Sequence, residues 1–131
     1  MDFPSNAKPI YLQIADFVCD RIAAGQLKPE ERLPSVREYG AEIGVNPNTV
    51  ARTYERLSSS GIIYSQRGMG YFVAADAPQR IIEQSRQEFM DNDLPQLAQR
   101  MRLLGIELAT LVQVLEPMLR DDKGDTTQAK V

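Results

Sequence analysis

Five basic residues lie between positions 32 and 75, and all five are arginines: Arg32, Arg37, Arg52, Arg56 and Arg67. Only Glu38, Glu42 and Glu55 oppose them there. A guanidinium makes forked hydrogen bonds to phosphate and to the open edge of guanine, so this excess is chemistry suited to duplex DNA. Asn48 and Thr49 accompany Arg52 and Arg56. An amide pairs with adenine, and a hydroxyl suits phosphate or the thymine methyl. At about 100° per residue, Asn48, Thr49, Arg52 and Arg56 fall on one flank of a helix and Val50, Tyr54 and Leu57 on the other. By itself such a stripe is no more than a solvated helix face. Arg37 reaches a phosphate or base edge, or else pairs at the surface with Glu38 or Glu42, which is worth little. Arg67 precedes Gly68 in a loop whose glycines let backbone enter a minor groove; the plain alternative is a solvated turn.

These side chains need a frame. Pro9 suits the first position of a helix, and Ile10, Ile14, Phe17, Val18 and Ile22 recur at helical spacing up to Gly25. Leu27 to Leu33 reads as a connector with Pro29 and Pro34 as breakers. Ser35 and Glu38 form a capping box opening a short helix that ends at Gly44. Asn46 caps the next helix, Pro47 takes its first position, and it runs to about Ser59 and Gly61. The short turn between them predicts a helix-turn-helix. Ile62-Ile63-Tyr64 and Tyr71-Phe72-Val73 are strand-like, with Gly68 and Gly70 supplying the hairpin tip. Tyr54 and Tyr71 are expected to pack rather than stack on bases. The predicted fold is mainly α with a small β-hairpin: a winged helix-turn-helix over 9–75, after a flexible lead at 1–8.

Beyond the hairpin, 77 to about 91 reads as a linker turning into a helix. Asp93 is expected to cap a further helix with Pro95 in its first turn. Leu94, Leu97, Met101 and Leu104 form an apolar stripe, Gly105 breaks it, and Leu108, Leu111 and Leu115 continue it until Pro117. That is too little chain to bury the stripe alone, and soluble monomers avoid large apolar patches. Residues 76–119 are therefore expected to be a helical dimerisation region, those seven side chains forming the homodimer interface. Some packing back onto the winged helix is expected as well. The polar stretch 120–131 reads as a disordered tail.

Composition bounds the rest. The chain has 131 residues, 43% of them apolar, and a net charge of -3. The acidic balance argues weakly against nucleic acid, but its distribution reverses that: 76–131 hold seven basic and ten acidic residues, and 1–75 hold eight of each. No apolar run approaches the ~18 residues of a membrane span, and the first residues lack the basic start and apolar core of a secretory signal. The lone Cys19 fits a reducing compartment and reads as a half-buried small hydrophobe. With no histidine and one cysteine, a structural zinc site and the commonest general base are both excluded from the expectation. No phosphate-binding glycine loop or nucleophile motif appears, so neither an enzyme nor a cofactor is expected.

Pro9-Ile10-Tyr11-Leu12-Gln13-Ile14, Leu33-Pro34-Ser35-Val36-Arg37-Glu38, Gly44-Val45-Asn46-Pro47-Asn48-Thr49-Val50-Ala51-Arg52 and Arg67-Gly68-Met69-Gly70-Tyr71-Phe72-Val73 occur in this order. Together they resemble the GntR family of bacterial transcription regulators over residues 9 to about 118. The short helical end resembles its YtrA-like subfamily. The resemblance implies a cytoplasmic homodimeric repressor that binds double-stranded DNA at an inverted repeat near its own operon, often one encoding transporters. It implies DNA contacts from Arg37, Asn46, Asn48, Thr49 and Arg67 with Gly68; Arg52 and Arg56 are added from the helical wheel. The residues specify no small-molecule effector. The family connector usually reads Pro-Gly-acidic, whereas here it is Pro29-Glu30-Glu31, and Tyr39-Gly40 stands in place of the usual leucine-alanine, which predicts looser packing of the second helix. The competing class is a winged helix used only for protein assembly.

Overall fold

The structure, a computed structural model, describes residues 8–121. The expected lead before Lys8 and the expected tail beyond Asp121 lie outside those residues. The elements are α1 (Ile10–Ala23), α2 (Val36–Ile43), α3 (Pro47–Ser59), β1 (Ile63–Gln66), β2 (Gly70–Val73), α4 (Ala77–Glu88), a π-helical turn (Phe89–Asp93), α5 (Leu94–Leu104) and α6 (Leu108–Arg120). The chain divides into two compact units, one through Arg86 and one from Gln87.

In the first unit, the helical spacing of α1 does what the pattern requires: Ile14, Val18 and Ile22 are buried, while Ile10 at the end of the stripe stays exposed. Pro9 is the residue before the helix rather than its first, with ψ 151, and its carbonyl accepts the first bonds from Leu12 and Gln13. Tyr39 and Ile43 of α2, Val50, Tyr54 and Leu57 of α3, and Ile62, Ile63 and Val73 of the hairpin close the core around α1. Ala77 and Ile81 of α4 belong to the same core, so the start of the expected linker is helix and is packed. Burying each large aliphatic side chain contributes about 1.5–3 kcal/mol, which makes this cluster the main source of the unit's stability.

Local chemistry sets the helix ends. Ser35 Oγ accepts from the Glu38 N–H at 3.1 Å and the Ser35 N–H donates to Glu38 Oε1 at 2.9 Å, completing the capping box. Gly44 ends α2 at φ 72, a conformation glycine adopts freely. Tyr39-Gly40 does not loosen α2. Tyr39 is only 2% exposed, and a Cβ on Gly40 would lie 2.6 Å from the Val45 carbonyl oxygen. The glycine lets the turn close against its own helix, and the tyrosine fills the space beside it, stacked with Tyr54 at 6.4 Å. Burial pushes the Tyr39 phenol up, an effect partly opposed by Arg21, and its hydroxyl has no hydrogen bond of normal geometry. The Tyr54 hydroxyl donates to the Pro34 carbonyl at 2.7 Å, and Tyr71 meets that ring edge-on at 5.1 Å.

β1 and β2 pair antiparallel, with Ile63 opposite Val73 and Gln66 opposite Gly70. The connector is more than a link. Its backbone runs along β2: Glu30 N–H donates to the Val73 carbonyl, Val73 N–H to the Glu31 carbonyl and Leu33 N–H to the Tyr71 carbonyl, all at 2.8–2.9 Å. Glu30 takes a left-handed conformation, φ 69, that glycine adopts more freely. Its carboxylate accepts from the Tyr64 hydroxyl at 2.6 Å, which raises the phenol's pKa. Cys19 is half-buried, and burial with Asp16 and Asp20 pushes its thiol up to about 11, far from a reactive thiolate.

The second unit differs from expectation in two places. Asp93 caps nothing: it is helical, at φ -67 and ψ -43, and its side chain makes no cap bond. The helix never stops there, because the Leu94 N–H reaches back five residues to the Phe89 carbonyl. A proline in a continuing helix clashes with the carbonyl four residues before it, and a wider turn just ahead of Pro95 is where such a chain gives way. Pro117 lies inside α6 rather than ending it, and the chain stays helical to Arg120. Gly105 does break the stripe, at φ 68. From Gln87 to Asp121 no described residue is buried.

Candidate nucleic-acid interface

The second helix of the helix-turn-helix starts from its cap. Asn46 Oδ1 accepts from the Asn48 N–H at 2.8 Å, and Pro47 follows in a position where its missing N–H loses nothing. With Val50, Tyr54 and Leu57 all buried, the opposite face of α3 has to point outward. Asn46, Asn48, Arg52 and Arg56 are exposed there, and Thr49 is half-buried at the edge. The free N–H groups and dipole at this helix end favour an anion.

Arg52 is more constrained than a helical wheel can tell. Its guanidinium lies over the Tyr11 ring, 4.1 Å from the centroid. Next to it, buried Thr53 donates its hydroxyl to the Tyr11 carbonyl at 2.8 Å, fastening α1 to α3. Tyr11, Arg52, Glu55, Arg56 and Ser59 line an open groove of about 340 Å³ along this face. Cation–π contact at an exposed site is worth about 0.5–1 kcal/mol, enough to bias the arginine's rotamer without burying it.

Arg37 lies in the first turn of α2, exposed. Glu38 makes no ion pair with it among the described residues. Its carboxylate is folded back onto Ser35, whose backbone and side-chain hydrogen bonds hold it below the usual carboxylate range. Among the described residues Arg37, Arg56 and Arg67 make no ion pair. The pairing of Arg37 with Glu38 or Glu42 is therefore not what the structure contains.

Arg67 and Gly68 form the exposed hairpin tip, where Gly68 has φ 76 and the Met69 N–H closes the turn on the Gln66 carbonyl at 2.8 Å. Every residue expected to contact DNA lies on the first unit: Arg37 on α2, Asn46, Asn48, Thr49, Arg52 and Arg56 at α3, and Arg67 with Gly68 at the hairpin tip. It adds two that sequence reasoning left without a role. Tyr11 supports Arg52 from 41 positions away, and Arg32 donates to the Met69 carbonyl at 2.8 Å. Neither has a local signal, since each works through a residue distant in sequence. The expected dimer-interface residues lie on the second unit: Leu94, Met101 and Leu111 are half-buried, and Leu97, Leu104, Leu108 and Leu115 are exposed.

Residues 10–73 match the family described as bacterial regulatory proteins, gntR family. The chain is 34% identical over 121 residues to the transcriptional repressor YtrA of Bacillus subtilis, covering 92% of each chain. It resembles the crystal structure of a GntR-family transcriptional regulator from Bacteroides thetaiotaomicron with a TM-score of 0.76 and 37% identity, over 88% of this chain and 100% of that one. It also resembles the DNA-binding domain of AraR in complex with operator ORX1, with a TM-score of 0.51 and 29% identity, over 56% of this chain and 92% of that one. No helix among the described residues is long and apolar enough to cross a membrane. The capped helix-turn-helix, the glycine-tipped wing and the short helical end agree with these relatives: the chain is a DNA-binding transcription regulator and belongs to the GntR family, among its YtrA-like members.

Proposed function

We propose that the protein is a homodimeric repressor that binds an inverted repeat in double-stranded DNA, at its own operon, in the cytoplasm. One observation carries this reading: Asn48 and Arg52 stand exposed on α3 directly opposite buried Val50, Tyr54 and Leu57. On this account Asn46, Asn48, Thr49 and Arg52 enter the major groove, with Arg37 and Arg56 beside them. The Arg67-Gly68 tip reaches the adjacent minor groove or its phosphates. Tyr11 holds Arg52 ready, which reduces the side-chain ordering that binding requires. The groove along α3 then carries a strand of DNA and not a small molecule.

The second copy is supported by the unit from Gln87, where Leu97, Leu104, Leu108 and Leu115 lie open. Two-fold pairing through that surface doubles the phosphate contacts and matches a palindromic site. The repressor named YtrA supports the sign of regulation.

Genomic fragments retained by the protein, measured for affinity over a salt series, test this. About six to eight phosphate contacts give a slope of log K against log salt near -5 to -7. A flat response would instead favour a winged helix used for assembly. On a retained fragment, Arg52→Ala should weaken binding by about 1–3 kcal/mol and relax base preference; unchanged affinity would remove Arg52 from the reading face.

A further inference from the structure

Arg32 is the one arginine of the central group that the reading above leaves unused. Its backbone lies opposite Phe72, in the segment that runs along β2. Its side chain extends to the hairpin tip, where Nε donates to the Met69 carbonyl at 2.8 Å. The same guanidinium rests against Gly70: a Cβ there would lie 3.2 Å from Nε and 3.4 Å from Nη2. The φ of 105 at Gly70 favours glycine, and a Cβ there would also press on the Arg32 guanidinium. Besides this bond, the tip is held only by its own turn, the Met69 N–H on the Gln66 carbonyl, and by the strand ends that pair at Gln66 and Gly70. Arg67, Gly68 and Met69 are all exposed, and a two-stranded hairpin is marginal alone. A loose tip must be ordered when it binds, and that ordering weakens affinity.

We propose that Arg32 is a positioning residue for DNA binding: it pins the wing tip through the Met69 carbonyl and so presents Arg67 and Gly68 to the duplex. The inference rests on the wing being a DNA contact. The bond is charge-assisted, and it joins the connector to the wing across 37 positions. A guanidinium suits the task because Nε can hold the carbonyl while its planar head stays against a glycine.

A binding cycle on the full chain tests this, using a labelled mixed-sequence duplex of about 30 base pairs at low salt. Arg67→Ala should weaken binding about tenfold, and Arg32→Met about fivefold, but Arg32→Met should have less than about a twofold effect once Arg67 is alanine. Equal losses in both backgrounds would make Arg32 an independent phosphate contact and overturn the proposal, as would no loss at all. If Arg67→Ala alone leaves affinity unchanged, the wing reading falls and this inference with it. Amide exchange supplies the second readout. In Arg32→Met the Met69 amide should exchange faster while Ile14 and Val50 amides keep their protection. An unchanged Met69 amide would show that no pin exists.

Discussion

The two units use similar apolar side chains to opposite ends. Through Arg86, Ile14, Val18, Val50, Tyr54 and Val73 are buried almost completely, and Asn46, Asn48, Arg37, Arg52, Arg56 and Arg67 are left outside. From Gln87, leucines recur with the same helical period, yet none is buried, and Leu103, Leu108 and Leu119 are at least 70% exposed. The first unit has four helices and a hairpin to enclose one another. The second has a π-helical turn and two short helices, too few layers to enclose anything. Closure of a core is thus a matter of how many faces meet, not of how apolar each face is. On the proposed reading, a second copy would cover in the open unit what the closed unit covers alone.

The largest test of that contrast is to charge the open surface. Leu97→Asp combined with Leu111→Asp should weaken self-association at least about a hundredfold, because each places a carboxylate where apolar contact is needed. Sedimentation would show monomers, with the helical signal of the first unit kept. An intact dimer would mean that the copies meet elsewhere. A chain that is monomeric before substitution would leave the open leucines without the occupant proposed for them.

The closed unit should fail differently, by loss of fit. Gly40→Ala would put a methyl group 2.6 Å from the Val45 carbonyl oxygen, a backbone atom that cannot swing aside as a side chain would. Overpacking of this kind costs about 1–3 kcal/mol. The urea midpoint should fall with little change in slope, and self-association should be untouched. Stability within about 0.5 kcal/mol of the parent would show that the turn between α2 and α3 can open to make room.

What could be read from the sequence divides along the same line. Ser35 with Glu38, Asn46 with Pro47, and Gly44 each settle a helix end with neighbours three or fewer positions away, and all were legible. So was the buried stripe of α3, which depends only on helical period. Asp93 misled because a cap needs the chain to arrive non-helical, and whether it does depends on the Phe89 carbonyl upstream accepting a five-residue bond. Pro117 misled because a proline removes one bond to the preceding turn without forcing the following residues out of helical geometry, and α6 continues to Arg120. The roles of Gly40, Arg32 and Tyr11 depend on what approaches them in three dimensions. Gly40 shows the difficulty most clearly: the same residue type that loosens a free helix tightens one that must be touched.

The smallest effect is also the most diagnostic for the connector. Glu30 holds a left-handed backbone, φ 69, that costs a non-glycine residue about 1–2 kcal/mol. Its carboxylate is tied to the Tyr64 hydroxyl, whose ring stacks on Phe72 at 5.7 Å. Glu30→Gly relieves the backbone and removes that exposed hydrogen bond. It also adds freedom to the unfolded chain, which offsets part of the gain. The expected net effect is a stabilisation of about 0.5–1 kcal/mol, seen as a higher urea midpoint. The Tyr64 phenol should titrate lower than in the parent, since the glutamate bond is the main cause of its raised pKa. A destabilised variant would mean that the glutamate–tyrosine contact, and not the turn geometry, fixes the connector against β2.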